Sequence, residues 1–309
     1  MAPFNLPNQD QYIEVVDEFI QASYDDPETG ITIGYNLFVP EGYEAKADSL
    51  EDLPMVFFLH GGGETGYDNR GQVVCYRQVE EYVREQAQAE TPCFVMMPQC
   101  PMTEERAIEL TGTDHGWNTH ILDENDVQFD YPSKALEASI NAMLAVAQDY
   151  NVDMNRVYSM GHSMGGGGSI ASMIARPDVF AASAVFASAT RYHEETLEPI
   201  KDKPIIFTVA ENERIASIYE TMPDNVAALE NLGVNIYHAT GDEAWDASLR
   251  GEAAQAEAEA TIANAEAAGA SMIYVEFMKG SVVMDSHHSH RASFENAGIR
   301  HWLFEQTLN

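Results

Sequence analysis

The sequence is poor in positive charge. Its 309 residues hold 16 Lys plus Arg against 50 Asp plus Glu, a formal net charge of −34. Such a polyanion has no electrostatic footprint for nucleic acid and is repelled by anionic membranes, so neither is expected as a partner. It also repels itself, which weakens the compact state unless salt screens the charges. A salt-rich working environment is one reading; an acidic, very soluble cytosolic protein is the other. Cysteine is scarce as well. Cys75, Cys93 and Cys100 form no Cys-x-x-Cys pair and leave one over, which argues against a disulfide framework and suits a reducing cytoplasm. No motif surrounds any of the three, so buried packing is expected of them. Long apolar runs are missing: no stretch approaches the roughly 18 residues of a membrane span. Met1 to Glu18 has no basic region followed by an apolar stretch, so no secretory signal is read there.

What is present is a core. A hydrophobic fraction of 45% suffices to bury one. Met55 to Leu59 (MVFFL) and Cys93 to Met97 (CFVMM) are continuous apolar runs, the pattern of strands buried on both faces. Ile31 to Val39, Arg156 to Met160, Val179 to Ser188, Pro204 to Val209, Val234 to Thr240 and Met272 to Met278 are further strand candidates. Helical spacing marks Val73 to Ala87, the stretch from Ser133 through Leu136, Ile140, Met143, Leu144 and Ala147, then Met164 to Ala175, Ser217 to Leu232, Glu252 to Ala268 and Ala292 to Gln306. Residues 101 to 132 are polar and predict a long irregular excursion over the surface. Strands alternating with helices imply an α/β fold, a mostly parallel sheet with helices on both faces. With no repeat and no linker, residues 1 to 309 are read as one domain. Residues 243 to 268 are read as a helical insertion, with two readings: a lid over the pocket or, the favoured one, an acidic helix packed at the edge.

Gly161-His162-Ser163-Met164-Gly165 fits G-x-S-x-G, with an apolar strand before it and a helix after it. That context is what a nucleophile elbow requires: a sharp strand-to-helix turn that exposes a serine and leaves no room for side chains two residues either way. The helix N-terminus also favours developing negative charge. His60-Gly61-Gly62-Gly63 follows an early buried strand, where backbone N–H groups, with that of Met164, could hold an oxyanion.

The stretch YNLFVPEGY…LPMVFFLHGGGETGYDN…PCFVMMPQCP…VDMNRVYSMGHSMGGGGS resembles the α/β-hydrolase group of bacterial esterases, polyhydroxybutyrate-depolymerase-like and feruloyl-esterase-like enzymes and "predicted peptidases". The likeness covers residues from about 35 to about 190 well and the C-terminal third poorly. It implies Ser163 as nucleophile, Gly61, Gly62 and Met164 at the oxyanion hole, a small-molecule ester as substrate, and no cofactor. Chain order in this fold is serine, acid, histidine, so the base comes from Asp285-Ser-His-His-Ser-His290. His287, His288 and His290 compete; relatives carry a histidine shortly before an aromatic and a closing Trp-Leu-Phe helix, which favours His290 ahead of Phe294 and Trp302-Leu303-Phe304. A metal site on these histidines lacks partner ligands at useful spacing.

For the acid, the resemblance leads one to expect Asp soon after the strand Pro204 to Val209. A gapless match puts Asn212 there instead. Glu213 is the choice by a one-residue shift, with Glu211 and Asp242 as alternatives. Trp117, His115 and His120, in the excursion, are candidates to line a pocket; His162 is close enough to touch substrate, and His60 is read as structural. Three functions remain open: cleavage of carboxylic esters, peptidase or acyltransferase activity on the same fold, and a silent binding protein on a hydrolase scaffold.

Overall fold

The computed structural model describes residues 17–74, 79–101, 114–122, 125, 128–188, 190–282 and 285–308. The strands are β1 (Ile20–Asp25), β2 (Thr32–Phe38), β3 (Leu53–Leu59), β4 (Phe94–Gln99), β5 (Asp114–His115), β6 (Asn118–Leu122), β7 (Gln128–Pro132), β8 (Val152–His162), β9 (Phe180–Phe186), β10 (Ile205–Ala210), β11 (Ile236–Ala239) and β12 (Met272–Phe277). The longer helices are α1 (Lys134–Asp149), α2 (Met164–Ala175), α3 (Ala216–Asn231), α4 (Glu252–Ala267) and α5 (Ala297–Glu305).

Nine strands make one sheet in the order β1-β2-β4-β3-β8-β9-β10-β12-β11. The pairs β1–β2 and β2–β4 are antiparallel, and the remaining pairs are parallel. The apolar runs explain this arrangement. Along β3, Met55, Phe57 and Leu59 face one core while Val56 and Phe58 face the other. β10 and β12 divide their side chains between the two cores in the same alternating way. A strand buried on both faces needs a helical layer on each. α1, α2 and α3 cover the first face, through Leu136, Ile140, Ile170, Met222 and Val226. α4 and α5 cover the second, through Ala258, Ile262, Ile299, Trp302 and Leu303. Burying each large aliphatic side chain contributes about 1.5–3 kcal/mol.

Two expectations are corrected. The helix read over Val73 to Ala87 is broken: separate turns run over Glu80–Val83 and Glu85–Glu90, and Arg84 between them is extended (φ −58°, ψ 145°). The excursion at 101 to 132 is not wholly irregular, because β5, β6 and β7 form a small antiparallel sheet. In the segment 243 to 268, α4 lies against α5. A Cβ at Gly298 would stand 2.8 Å from that of Ala258, so glycine lets the two helices approach closely.

Candidate active site

The parallel strands deliver the chemistry-bearing residues to one rim. His60, Ser163, Glu213 and His287 lie beyond the carboxyl ends of β3, β8, β10 and β12 respectively. β3 and β8 are also the neighbours at which the strand order reverses, the place where open α/β sheets leave a crevice.

Ser163 bends between β8 and α2 with φ 56° and ψ −121°. A non-glycine residue in this region costs on the order of 1–3 kcal/mol and persists only when its surroundings dictate it. Here Ser163 N donates to Phe186 O at 2.9 Å, and Gly167 N donates back to Ser163 O at 3.2 Å. The flanking glycines are required by contact. A Cβ at Gly165 would overlap the Leu59 carbonyl oxygen and stand 2.7 Å from that of His60; one at Gly161 would stand 2.6 Å from Gly165 O. Gly166 is pressed in the same way against Phe186 O, at 2.7 Å. The elbow is thus wedged between the ends of β3 and β9, with backbone against backbone.

The glycine-rich loop after β3 is held from beneath by His60. Its Nε2 accepts the Cys100 N–H at 2.9 Å, so the proton is on Nδ1, which donates to Gly61 O at 2.6 Å. In a trans peptide that carbonyl and the N–H of Gly62 point opposite ways, so the bond also aims the Gly62 amide. Gln99 Nε2 secures the loop further along by donating to Glu64 O at 2.9 Å. Trp117, expected to line a pocket, is instead fully buried; its Nε1 donates to His60 O at 3.0 Å and its ring fills the space over Gly168. It braces the loop and does not face solvent.

The base candidate moves from His290 to His287. His287 Nε2 stands 3.2 Å from Ser163 Oγ. His290 cannot take that place, since its Nδ1 donates to the His287 carbonyl at 2.9 Å and its buried ring stacks on His162 at 4.1 Å. Burial, with the nearby histidines, pushes His290 down to about 3. His162 is likewise held well below the usual histidine range, by burial first and His290 next. His162 is therefore a neutral buried ring against Gly61, not an exposed substrate contact. His288 packs its ring 5.7 Å from that of His290.

Glu213 and His287 are brought together. Glu213 Oε1 lies 3.3 Å from His287 Nδ1, within ion-pair distance but without the alignment of a hydrogen bond, and the Glu213 side chain is fully buried. Catalytic hydrogen bonds are often this loose before substrate binds. Ile215 N donates to the same Oε1 at 3.0 Å, while Oε2 is buried with no hydrogen-bond partner among the described residues. The alternatives are exposed: Glu211 accepts the Lys279 N–H at 3.0 Å, Asn212 lies beside it in the same turn, and Asp242 lies beyond β11 at the sheet edge. An imidazole between a hydroxyl and a buried carboxylate can accept the hydroxyl proton at Nε2 while its Nδ1–H faces the carboxylate.

Of the thiols, Cys93 is buried and pushed up to about 12 by that burial, Cys100 is buried, and Cys75 lies outside the described residues. The His115 side chain also lies outside what is described. His120 pairs with the buried Asp130 on the small sheet. Among the described residues no group of His, Cys, Asp and Glu side chains is arranged to hold a metal ion, and no helix is long and apolar enough to cross a membrane.

A mostly parallel sheet covered by helices on both faces, with a strained serine between strand and helix, defines the α/β-hydrolase fold. The model of the family described as "Putative esterase" matches residues 27–292, and the chain belongs to that family. Among solved structures it is similar to a thermostable esterase, with 30% identity, 95% of this chain and 64% of that chain covered, and a TM-score of 0.68. It also resembles a ferulic acid esterase (13% identity, 93% and 98% covered, TM-score 0.55). A further likeness is to an IroE-like serine hydrolase from Shewanella oneidensis (13% identity, 93% and 80% covered, TM-score 0.51). The last two likenesses concern the fold alone. The chain thus spans 64% of the length of the thermostable esterase. No curated protein matches it.

Proposed function

We propose that this protein hydrolyses carboxylic esters of small molecules through an acyl-enzyme on Ser163, with His287 as base and Glu213 as the acid that orients it. The observation that carries the reading is the 3.2 Å approach of His287 Nε2 to the hydroxyl of a serine held in a strained bend. His287 takes the Ser163 proton as the oxygen attacks the ester carbonyl. Negative charge then grows on the carbonyl oxygen, and the amides of Gly62 and Met164 are the candidates to receive it. Met164 begins the twelve-residue α2, where N–H groups lack partners within the helix. Gly61 contributes its small size, since a Cβ there would stand 2.8 Å from His162 Nε2. His287 protonates the departing alcohol, and water then enters by the same route in reverse to release the acid.

Family membership supports ester cleavage over amide cleavage. The silent-scaffold reading drew only on the missing Asp, and Glu213 supplies a carboxylate beside the imidazole. The test is covalent: a fluorophosphonate probe should label wild-type protein at the peptide bearing Ser163, and p-nitrophenyl ester turnover should vanish in Ser163→Ala. An unlabelled wild type, or an active S163A, refutes the proposal. One domain and a cytoplasmic location remain part of this reading, supported by the single large sheet and by the acidic, cysteine-poor composition.

A further inference from the structure

β10 and β12 are adjacent and parallel, so the loops that follow them leave the sheet side by side. One carries Glu213 and the other His287, the acid and base proposed above. At the root the loops are joined by Glu211 N to Phe277 O at 2.9 Å. At their outer ends they are joined by side chains. Arg214 Nε donates to both carboxylate oxygens of Asp285, at 3.0 and 2.8 Å. Arg214 follows Glu213 directly. Asp285 accepts the His287 N–H at 3.0 Å through Oδ1, capping the short turn Ser286–Ser289 that presents the imidazole. A single ion pair therefore joins the residue beside the acid to the group that holds the backbone of the base.

We infer that the Arg214–Asp285 pair is a clasp that sets the distance between Glu213 and His287, and that Arg214 and Asp285 are positioning residues for the reaction. The inference rests on the proposed triad. Glu213 and His287 stand 3.3 Å apart and unaligned, so their contact does not itself lock the loops together. The clasp is exposed, with 62% of the Arg214 side chain accessible. Exposed pairs add little to global stability and are screened by salt, whereas a misplacement of about 1 Å at a reacting group can cost roughly a hundredfold in rate. Stability and catalysis should therefore respond differently to its loss.

The experiment compares wild type, Arg214→Met, Arg214→Lys, Asp285→Asn and His287→Ala on a p-nitrophenyl ester, at low salt and in 1 M KCl, each with its melting temperature. Asparagine keeps the cap on His287 N–H but not the charge. The expected result is that R214M and D285N lose about tenfold in kcat at low salt, with KM and melting temperature little changed. R214K should keep most of the activity. The ratio of wild-type to R214M kcat should narrow in 1 M KCl, where the Debye length falls to about 3 Å. Unchanged kcat in R214M and D285N at low salt, or a loss that tracks melting temperature and ignores salt, overturns the clasp. An active H287A overturns the triad itself, and the clasp with it.

Discussion

The elbow around Ser163 and the two loops opposite it are held by different forces. The elbow is backbone packed on backbone: Gly161, Gly165 and Gly166 let β8 and α2 close against carbonyls of β3 and β9. The loops bearing Glu213 and His287 meet through side chains, an unaligned carboxylate–imidazole pair and an exposed ion pair. Close-packed backbone tolerates no added atom, while side-chain contacts between loops can loosen by a few tenths of an ångström without unfolding anything. The rigid half presents Ser163, the proposed nucleophile. On that proposal, the adjustable half sets how well the serine is activated.

The most severe break is on the chemistry that spans both halves. His287→Ala should lower kcat by on the order of 10⁴–10⁶, as loss of the nucleophile would, whereas His290→Phe should cost far less because His290 bonds the His287 backbone and stacks on His162, while His287 is the ring that stands beside Ser163 Oγ. Ester turnover in the two variants, side by side, checks this; equal losses would restore His290 as the base. Glu213→Gln should follow, at about 10³–10⁴ in kcat, since a neutral amide leaves the imidazolium without its countercharge. A pre-steady-state burst separates that effect from slower deacylation.

Gly165→Ala probes the rigid half by stability. The new Cβ would collide with the Leu59 carbonyl, so the variant should lose about 3–5 kcal/mol in urea denaturation or fail to fold. An alanine tolerated within 1 kcal/mol, by the same titration, would mean that the backbones are not in contact.

Burial of the His162–His290 stack predicts a smaller, pH-dependent effect. Both rings stay neutral in the folded chain below the usual histidine pKa of about 6.5. The unfolded chain takes up protons there and the folded one does not, so stability is intact above about pH 6.5 and declines as pH falls toward 3. The decline should be shallower in His290→Phe, measured by melting temperature from pH 7 to 5. Smallest per charge, but spread over the whole surface, is salt: the melting temperature should rise from low to molar KCl as screening relieves the net charge of −34. A flat or falling curve removes the salt-rich reading.

The contrast also accounts for what could be read in advance. Ser163 and its glycines were legible because local packing imposes them: the motif, the apolar strand before it and the helix after it lie within one continuous stretch. Glu213 was reachable only as a shift from an expected aspartate. The sequence favours His290 whereas the structure brings His287 to Ser163, because no local pattern separates three histidines within four positions. Asp285 two residues ahead, a capping residue for a short turn, was the one usable hint. Trp117 and His60 show the same limit, since their role beneath the glycine loop is a contact between distant segments. The small sheet β5–β7 escaped because short polar strands carry little periodicity.

Composition and pattern alone determined the two-faced apolar strands, the alternation with helices and the serine bend, because each follows from forces acting over a few neighbouring residues. Only the tertiary structure decided which imidazole meets Ser163, which carboxylate stands behind it and which exposed pair joins their loops. Those choices depend on the register of β10 beside β12 and on distances between segments far apart in the chain, 71 residues for Arg214 and Asp285 and 124 for Ser163 and His287.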